Sequence, residues 1–437
     1  MSIMGKTEKD SKPFVYVEID EKLCNGCVLC MKACPTKAIR VEDNRVARIQ
    51  GVCIDCGECV RVCPRGAIKP IFIQIDKIEE GIFSIVSSSA VLYSQFGGDV
   101  MPNDVLLALR RMGFSFVYDQ GYTNEIFNIA VELYIQENRK KLGTPWPLIS
   151  PICPVVVRLI AYRFPSLLKH IPPFLTPSEI VAREGKNRLS TKYGYKQEDI
   201  IVYHITPCAA KMISMREPVL LKSSYLNRAM GIGHIYNALK KTIHEVEEDK
   251  VLHHSGGIGI GWGMSGGEIA GVDANCIAVS GLSETMRYLE KIEMGLLHEL
   301  DYVEFRICTE GCLGGPFAVA DKYEAKHHIQ KLIRMFGVEK RVKYEYVKSL
   351  YESGWFFTHQ EAMPLEATSS NLSVSENIDR QKRIDETLKL LPRKECGACG
   401  SPDCRTFAED VIDGMVSLES CVFLSRDKKK IRISGKS

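Results

Sequence analysis

The stretch CTEGCLGGP, residues 308–316, decides how this chain is read. Two cysteines four positions apart follow the largely apolar run YVEFRI and lead into glycines. Cys153 ends PWPLISPIC and Cys208 ends DIIVYHITPC, two more runs rich in the β-branched and aromatic residues of buried strands. Open α/β sheets place their sites at the carboxyl ends of strands, so cysteines at such ends can meet in one crevice. On that reasoning Cys153, Cys208, Cys308 and Cys312 look like four ligands of one metal centre. The alternative is four buried structural cysteines, and spacing alone leaves it open, because the residues lie far apart in sequence.

Toward the N-terminus the pattern is tighter. Cys24-x2-Cys27-x2-Cys30-x3-Cys34-Pro35 recurs as Cys53-x2-Cys56-x2-Cys59-x3-Cys63-Pro64. This is the bacterial ferredoxin spacing, in which one loop wraps three thiolates around a 4Fe-4S cube and the fourth comes from the other repeat. Cluster one is therefore expected on Cys24, Cys27, Cys30 and Cys63, and cluster two on Cys53, Cys56, Cys59 and Cys34. Near the other end, Cys396-x2-Cys399-x4-Cys404-x16-Cys421 forms a fourth group, with Gly397 and Gly400 allowing a tight loop. A structural zinc site is the competing reading there, since four cysteines also suit zinc. Four groups of four leave Cys276 alone of the 17 cysteines. In NCIAVSG it reads as a small buried hydrophobe.

Between these ends the chain alternates strand-like and helical patterns, which makes it α/β. Residues 103–113, NDVLLALRRMG, have helical spacing, with Asn103 as N-cap and Gly113 as stop. Residues 126–141 read as an amphipathic helix, and 155–168 and 225–248 continue the alternation. Residues 256–267 hold seven glycines. They lack the strand–GxGxxG–helix frame of a dinucleotide site, and close backbone approach to a metal site or a tight turn explains them better. His253 and His254 are expected in ordinary polar roles, and Trp262 and Met264 in packing. Residues 366–381 are Ser/Asn-rich and read as a linker. The basic tail 427–437 reads as solvated.

Composition narrows the function. A formal net charge of +3 over 437 residues offers no bulk field for nucleic acid. No apolar run is long enough for a membrane span. Residues 1–13 are charged and lack the apolar core of a signal peptide, so a cytoplasmic protein is expected. Many cysteines without a secretion signal argue for metal ligands over disulfides.

SPICP at 150–154, TPCAAK at 206–211 and CTEGCLGGP resemble the three signature segments of iron-only (FeFe) hydrogenases, which read roughly TSCCP, MPCxxKxxE and ACxxGCxxGGGQP. The likeness runs from about residue 80 to 360 and includes LRRMGFSFVYDQ from Leu109, WGMSGGE from Trp262 and VSGL from Val279. In that family four cysteines hold a 4Fe-4S cube, and the last also bridges to a two-iron centre where hydrogen is made or split. The resemblance gives those places to Cys153, Cys208, Cys308 and Cys312, with Cys312 as the bridge. It makes Lys211 a catalytic candidate if a two-iron centre is bound.

The departures are as informative. The family's proton-relaying cysteine is Ile152 here. Thr206 and Arg306 stand where it has methionines, Ser214 where it has a glutamate, and its glycine tail has shrunk to Gly314, Gly315 and Pro316. This pattern resembles the family's sensory or degenerate branch. The C-terminal group resembles the four-cysteine 4Fe-4S module of electron-transport and corrinoid iron-sulfur proteins.

The expected architecture is a ferredoxin-like dicluster domain (14–72), a two-lobed iron-only hydrogenase-like α/β domain (78–362), a linker (363–384) and a small helical four-cysteine module (385–426). The expected cofactors are four 4Fe-4S clusters, with the two-iron centre weighed against. Electrons are expected to enter or leave at either terminal module. The expected role is a redox or hydrogen sensor or an electron-transfer subunit, working with redox partner proteins such as ferredoxin, oxidoreductase subunits or a signalling protein. The alternative is a slow, active hydrogenase carrying the two-iron centre.

Overall fold

The computed structural model describes residues 17–41, 45–71, 78, 83–243, 250–358, 360, 362–365 and 373–424. The segments 1–13 and 427–437, read above as charged leader and basic tail, lie outside these. The chain divides into two compact units: Met1–Cys53, Glu58–Lys69 and Ala367–Ser437 form one, and Ile54–Gly57 and Pro70–Glu366 the other.

The larger unit is built on two all-parallel sheets. In the first, Phe83–Ser88 and Ile200–Thr206 run side by side at the centre, with Phe116–Tyr118 and Arg228–Gly231 at the edges. Both central strands are buried on both faces, as parallel strands between helices must be. Alternation along them sends Ile85 and Val202 toward the helix Pro177–Tyr193. It sends Val86, Tyr203 and Ile205 to the opposite face, with residues of the helices Pro102–Arg111 and Ile232–Thr242. In the second sheet Tyr302–Arg306 lies between Cys276–Ser280 and Leu148–Ile149. Two sheets with interleaved helices match the two-lobed α/β expectation.

Several local expectations needed correcting. Met101, not Asn103, caps the helix Pro102–Arg111, and Asp104 accepts its N–H at 2.9 Å. Asn103 instead accepts N–H groups of Leu252 and His253 and donates to the carbonyl of Lys250. A tertiary loop competed for its side chain and won. The segment read as amphipathic over 126–141 is the helix Gln120–Asn138, buried nearly all round. Residues 155–168 split into the helix Pro154–Arg163 and a 3-10 turn, Pro165–His170. The segment 225–248 begins as the strand Arg228–Gly231 before turning helical over Ile232–Thr242. Cys276 is half-buried rather than buried.

The smaller unit joins the two ends of the sequence. Its ferredoxin repeat packs Met31, Ile39, Ala47 and Ile68 around the cysteine loops. The segment expected as linker is helical from Val374 to Leu390. Ser373 and Glu376 form a capping box there, a signal that the polar composition had masked. Ile384 and Leu391 of this segment bury against Phe407, on the helix Cys404–Ile412, and against Cys421.

The C-terminal cysteine loop rests on the ferredoxin repeat through specific contacts. Arg40 holds Asp410 bidentately, Nε to Oδ2 at 2.7 Å and Nη2 to Oδ1 at 2.9 Å. Lys32 donates to the carbonyls of Glu395 and Pro402, and the N–H of Val41 donates to Gly400 at 2.9 Å. Gly400 sits at φ +88°, and a Cβ there would lie 2.1 Å from the carbonyl oxygen of Val41, so only glycine permits this approach. Asp410 is nearly fully buried, and its other partner is the hydroxyl of Ser401. Arg40→Ala should therefore cost about 2–3 kcal/mol locally, since it strands a buried carboxylate. Hydrogen exchange of the helix Cys404–Ile412 should rise accordingly. Equal exchange in wild type and variant would show the docking to be incidental. The exposed pair Arg405–Asp385 provides the control, with an effect within about 0.5 kcal/mol for Arg405→Ala.

Candidate metal centre

The structure brings together Cys153, Cys208, Cys308 and Cys312 of the larger unit. Cys153 ends the turn after Leu148–Ile149 and caps the helix Pro154–Arg163. Cys208 follows Ile200–Thr206 and caps the helix Ala209–Arg216. Cys308 follows Tyr302–Arg306, and Cys312 lies in the 3-10 turn Gly311–Gly314. Three strands, two of one sheet and one of the other, thus deliver cysteines from their carboxyl ends, and two of these cysteines sit at helix N-termini, where a thiolate is favoured.

The loops interlock through backbone. The N–H of Cys312 donates to the carbonyl of Gly263 at 2.8 Å, and that of Phe317 to Pro207 at 3.0 Å. Gly311, at φ +74°, leaves no room for a Cβ, which would fall 2.5 Å from the nitrogen of Ser265. The glycine run 256–267 thereby serves close backbone approach beside the cysteines, as its sequence suggested. His253 hydrogen-bonds Ser255 at 3.0 Å, and the Trp262 indole donates to Asn128 at 2.9 Å.

Crowding and burial govern the thiols. Burial pushes the Cys208 thiol well above its ordinary pKa, and the neighbouring Cys308, Cys153 and Cys312 push it further. Burial also raises Cys312, against the pull of Arg306 and Lys211. Four crowded, half-buried cysteines whose thiols repel one another when charged fit a cationic iron-sulfur group, whose irons would favour the thiolates.

The smaller unit shows the same chemistry twice. Cys24, Cys27, Cys30 and Cys63 line one hollow, which is the crossed set expected for cluster one. The Cys30 thiol is raised to about 11 by burial, with Cys27, Cys24 and Cys63 adding to it. Cys59 is raised to about 12 by burial and then by Cys34 and Cys30, both of the first repeat. Cys34 and Cys63 each accept an N–H from four residues on, Ala38 and Ala67, at 3.3 Å. Burial raises the Cys63 thiol, but several backbone N–H groups more than offset this and leave it lowered. At the C-terminal group, burial raises Cys399, and Cys421 and Cys396 are the charged neighbours that add to the rise. Among the described residues, no three His, Cys, Asp or Glu side chains could hold a single metal ion as they stand. A tetrahedral zinc draws its sulfurs to about 2.3 Å from one point, whereas a cube spreads them over its corners.

Of the departures from the family signatures, Ile152 is buried in apolar surroundings. Thr206 accepts the N–H of Cys208 through its hydroxyl at 3.2 Å, closing the turn that presents the cysteine. Ser214 donates to the carbonyl of Lys211.

Arg306 sits in a buried polar network that the sequence reading missed. Its guanidinium is 2% exposed, donates to Glu268 Oε2 at 2.7 Å, lies 3.6 Å from Glu304 and stands 5.5 Å from the Trp262 ring centroid. Glu268 also accepts from the Tyr302 hydroxyl at 2.6 Å and from Ser150 at 2.9 Å. Glu304 accepts N–H groups of Gly266, Glu268 and Ile269. Burial raises the Glu304 carboxyl, and Arg306 pulls it back. The available signal was Glu304 and Arg306 themselves. Two charges at i and i+2 in an apolar strand share one face, and buried charges come paired. Removing the cation strands two carboxylates. Arg306→Met should cost about 3–5 kcal/mol in chemical denaturation, and adding Glu268→Gln should recover part of it. Equal stability of wild type and single variant would show that the network carries no net charge pairing.

The family model described as iron only hydrogenase large subunit, C-terminal domain, matches residues 83–269 and 237–316, more than half of the chain. A 4Fe-4S dicluster domain model matches residues 16–64, and an Fe-S cluster model matches 391–423. The periplasmic Fe hydrogenase large subunit of Nitratidesulfovibrio vulgaris is 29% identical over 224 residues, 48% of this chain and 53% of that protein. The corrinoid/iron-sulfur protein large subunit of Moorella thermoacetica is 48% identical over 40 residues, 9% of each chain. The chain spans about half the length of the curated hydrogenases it matches. A solved FeFe-hydrogenase variant from Chlamydomonas reinhardtii superposes with a TM-score of 0.52 at 15% identity, covering 66% of this chain and 97% of that one. Among the described residues, no helix is long and apolar enough to cross a membrane.

Proposed function

The chain belongs to the iron-only hydrogenase large-subunit family, and we propose that within it this chain is a redox or hydrogen sensor or an electron-transfer subunit, not a fast hydrogenase. The observation that carries this reading is Ile152, a buried aliphatic side chain at the place where the family's signature has its proton-relaying thiol. General acid catalysis needs a titratable group within reach and typically contributes about 10²–10⁴-fold. Ile152 offers none. The paired Arg306 and the hydroxyl of Thr206, where the signatures have methionines, alter the same surroundings in shape and charge.

In this reading Cys153, Cys208, Cys308 and Cys312 hold a central 4Fe-4S cube. Cys24, Cys27, Cys30 and Cys63 hold a second, Cys53, Cys56, Cys59 and Cys34 a third, and Cys396, Cys399, Cys404 and Cys421 a fourth. Such cubes, when bound, take up and release single electrons at low potential, roughly −400 mV for ferredoxin types. The protein's own part is to bury the thiols, set their hydrogen bonds and exclude water. Its partners are redox or signalling proteins, and its compartment is a reducing cytoplasm, where so many thiols persist. Because the C-terminal cysteine group and every N-terminal cysteine except Cys56 lie in one compact unit, electron exchange with a partner is expected at that unit.

Three measurements test the reading. Anaerobic reconstitution should plateau near about sixteen irons per chain. A plateau near about twelve with one zinc would make the C-terminal group a zinc site. Cys34→Ser should perturb the cluster of the second repeat, and confinement of its effect to the first repeat would sink the crossed assignment. After co-expression with hydrogenase maturation proteins, the chain should show no carbonyl or cyanide infrared bands. Its hydrogen evolution from reduced methyl viologen should be a small fraction of a standard hydrogenase's, and Ile152→Cys should rescue little. High wild-type activity would establish the alternative, an active hydrogenase with Lys211 at its two-iron centre.

A further inference from the structure

A partly open cavity of about 70 Å³ lies within the larger unit, lined by Ile152 and Lys211 and by apolar side chains, among them Phe174, Val219 and Leu221. Two buried nitrogens of residues on its wall, His204 Nε2 and Arg158 Nε, lack hydrogen-bond partners, and the half-buried Lys211 adds a cation. His204 is 1% exposed, and its Nε2 has no hydrogen-bond partner. Its Nδ1 sits 3.2 Å from the hydroxyl of Ser87, so Nε2 can carry the proton and donate into the cavity. Burial, then the neighbouring Lys211, holds this imidazole well below its ordinary pKa, and it stays neutral. Arg158 is 5% exposed, and its Nε is unpartnered. Its other nitrogens are taken by Glu217, through the carbonyl at 3.2 Å and a looser carboxylate contact at 3.6 Å. Lys211 has no carboxylate paired to it among the described residues. The anion on the wall, Glu179, is already occupied by the Ser224 hydroxyl and the N–H of Tyr225.

Buried donors without acceptors are rare and call for an explanation. Water satisfies donors, but it does not neutralise cations held against apolar walls. A space of this size admits about five or six heavy atoms at roughly 10–15 Å³ per water-sized volume. We propose that the cavity binds a small monocarboxylate of about two to four carbons, its carboxylate on Lys211, His204 and the Nε of Arg158, and its alkyl end against Ile152, Phe174 and Val219. A phosphate dianion has too few donors here and would face an apolar wall. This site rests on the reading that no two-iron centre occupies the cavity.

The full chain, anaerobically reconstituted after co-expression with hydrogenase maturation proteins, is examined first by infrared spectroscopy and then by calorimetric titration. The probes are acetate, propionate and butyrate, with phosphate and chloride as controls at equal ionic strength. The expected result is no carbonyl or cyanide band and saturable one-to-one binding of at least one carboxylate. Lys211→Met should weaken that binding at least tenfold at unchanged iron content. His204→Asn should weaken it less, and its iron content reports whether the fold is intact. Carbonyl and cyanide bands would overturn both the functional reading and this site, because the cavity would be filled. Absent bands with no saturable heat, with equal binding by Lys211→Met, or with phosphate bound as tightly, would overturn this site alone.

Discussion

Four half-buried cysteines crowded into one crevice resist ionising together unless positive charge lies among them. Each added thiolate near Cys208 raises the energy of the next, and burial removes the water that would screen them. Much of the larger unit serves this arrangement. Parallel strands end together, so their following turns can converge. Helices starting at Cys153 and Cys208 aim partial positive charge at two of the sulfurs. Glycines at 311 and 315 let three loops lie backbone to backbone, where side chains would push the cysteines apart.

Behind that crevice lies a second constraint, the Arg306 network. A guanidinium and two carboxylates, all nearly fully buried, persist because each has hydrogen-bond partners fixed by the fold. Such a group is not evidence of extra stability, since well-packed apolar residues can do as well. It does commit this face of the strand Tyr302–Arg306 to charge. The family signature has a methionine where this chain places Arg306, so the change is one of chemistry and not of size alone. Together with Ile152 it marks where this chain departs from the family signatures.

The smaller unit shows how distant sequence can make one structure. The C-terminal cysteine group is carried on a capped helix and meets the ferredoxin repeat through Arg40, Lys32 and Val41. One compact unit holds the C-terminal cysteine group and every N-terminal cysteine except Cys56.

Much was legible in the residues. The doubled Cys-x2-Cys-x2-Cys-x3-Cys-Pro spacing carries its ligand exchange in itself, because the short loop cannot supply four sulfurs to one cube. Apolar runs ending in cysteine marked the strand ends, and the glycines of 256–267 marked a close approach. These signals are local, and local spacing survives in a linear chain. What the linear chain did not show depends on partners far apart in sequence. Asn103 was claimed by Leu252 and His253, and the polar segment after residue 373 became a helix by packing Ile384 against Phe407. Glu268 found Arg306, and His204 came to face Lys211 across a cavity. The sequence by itself determined which cysteines stand in ligand-like spacing and which apolar runs end in them. Only the tertiary structure decided which charges were paired and which nitrogens were left without acceptors, because burial and pairing are properties of packed neighbours and not of spacing.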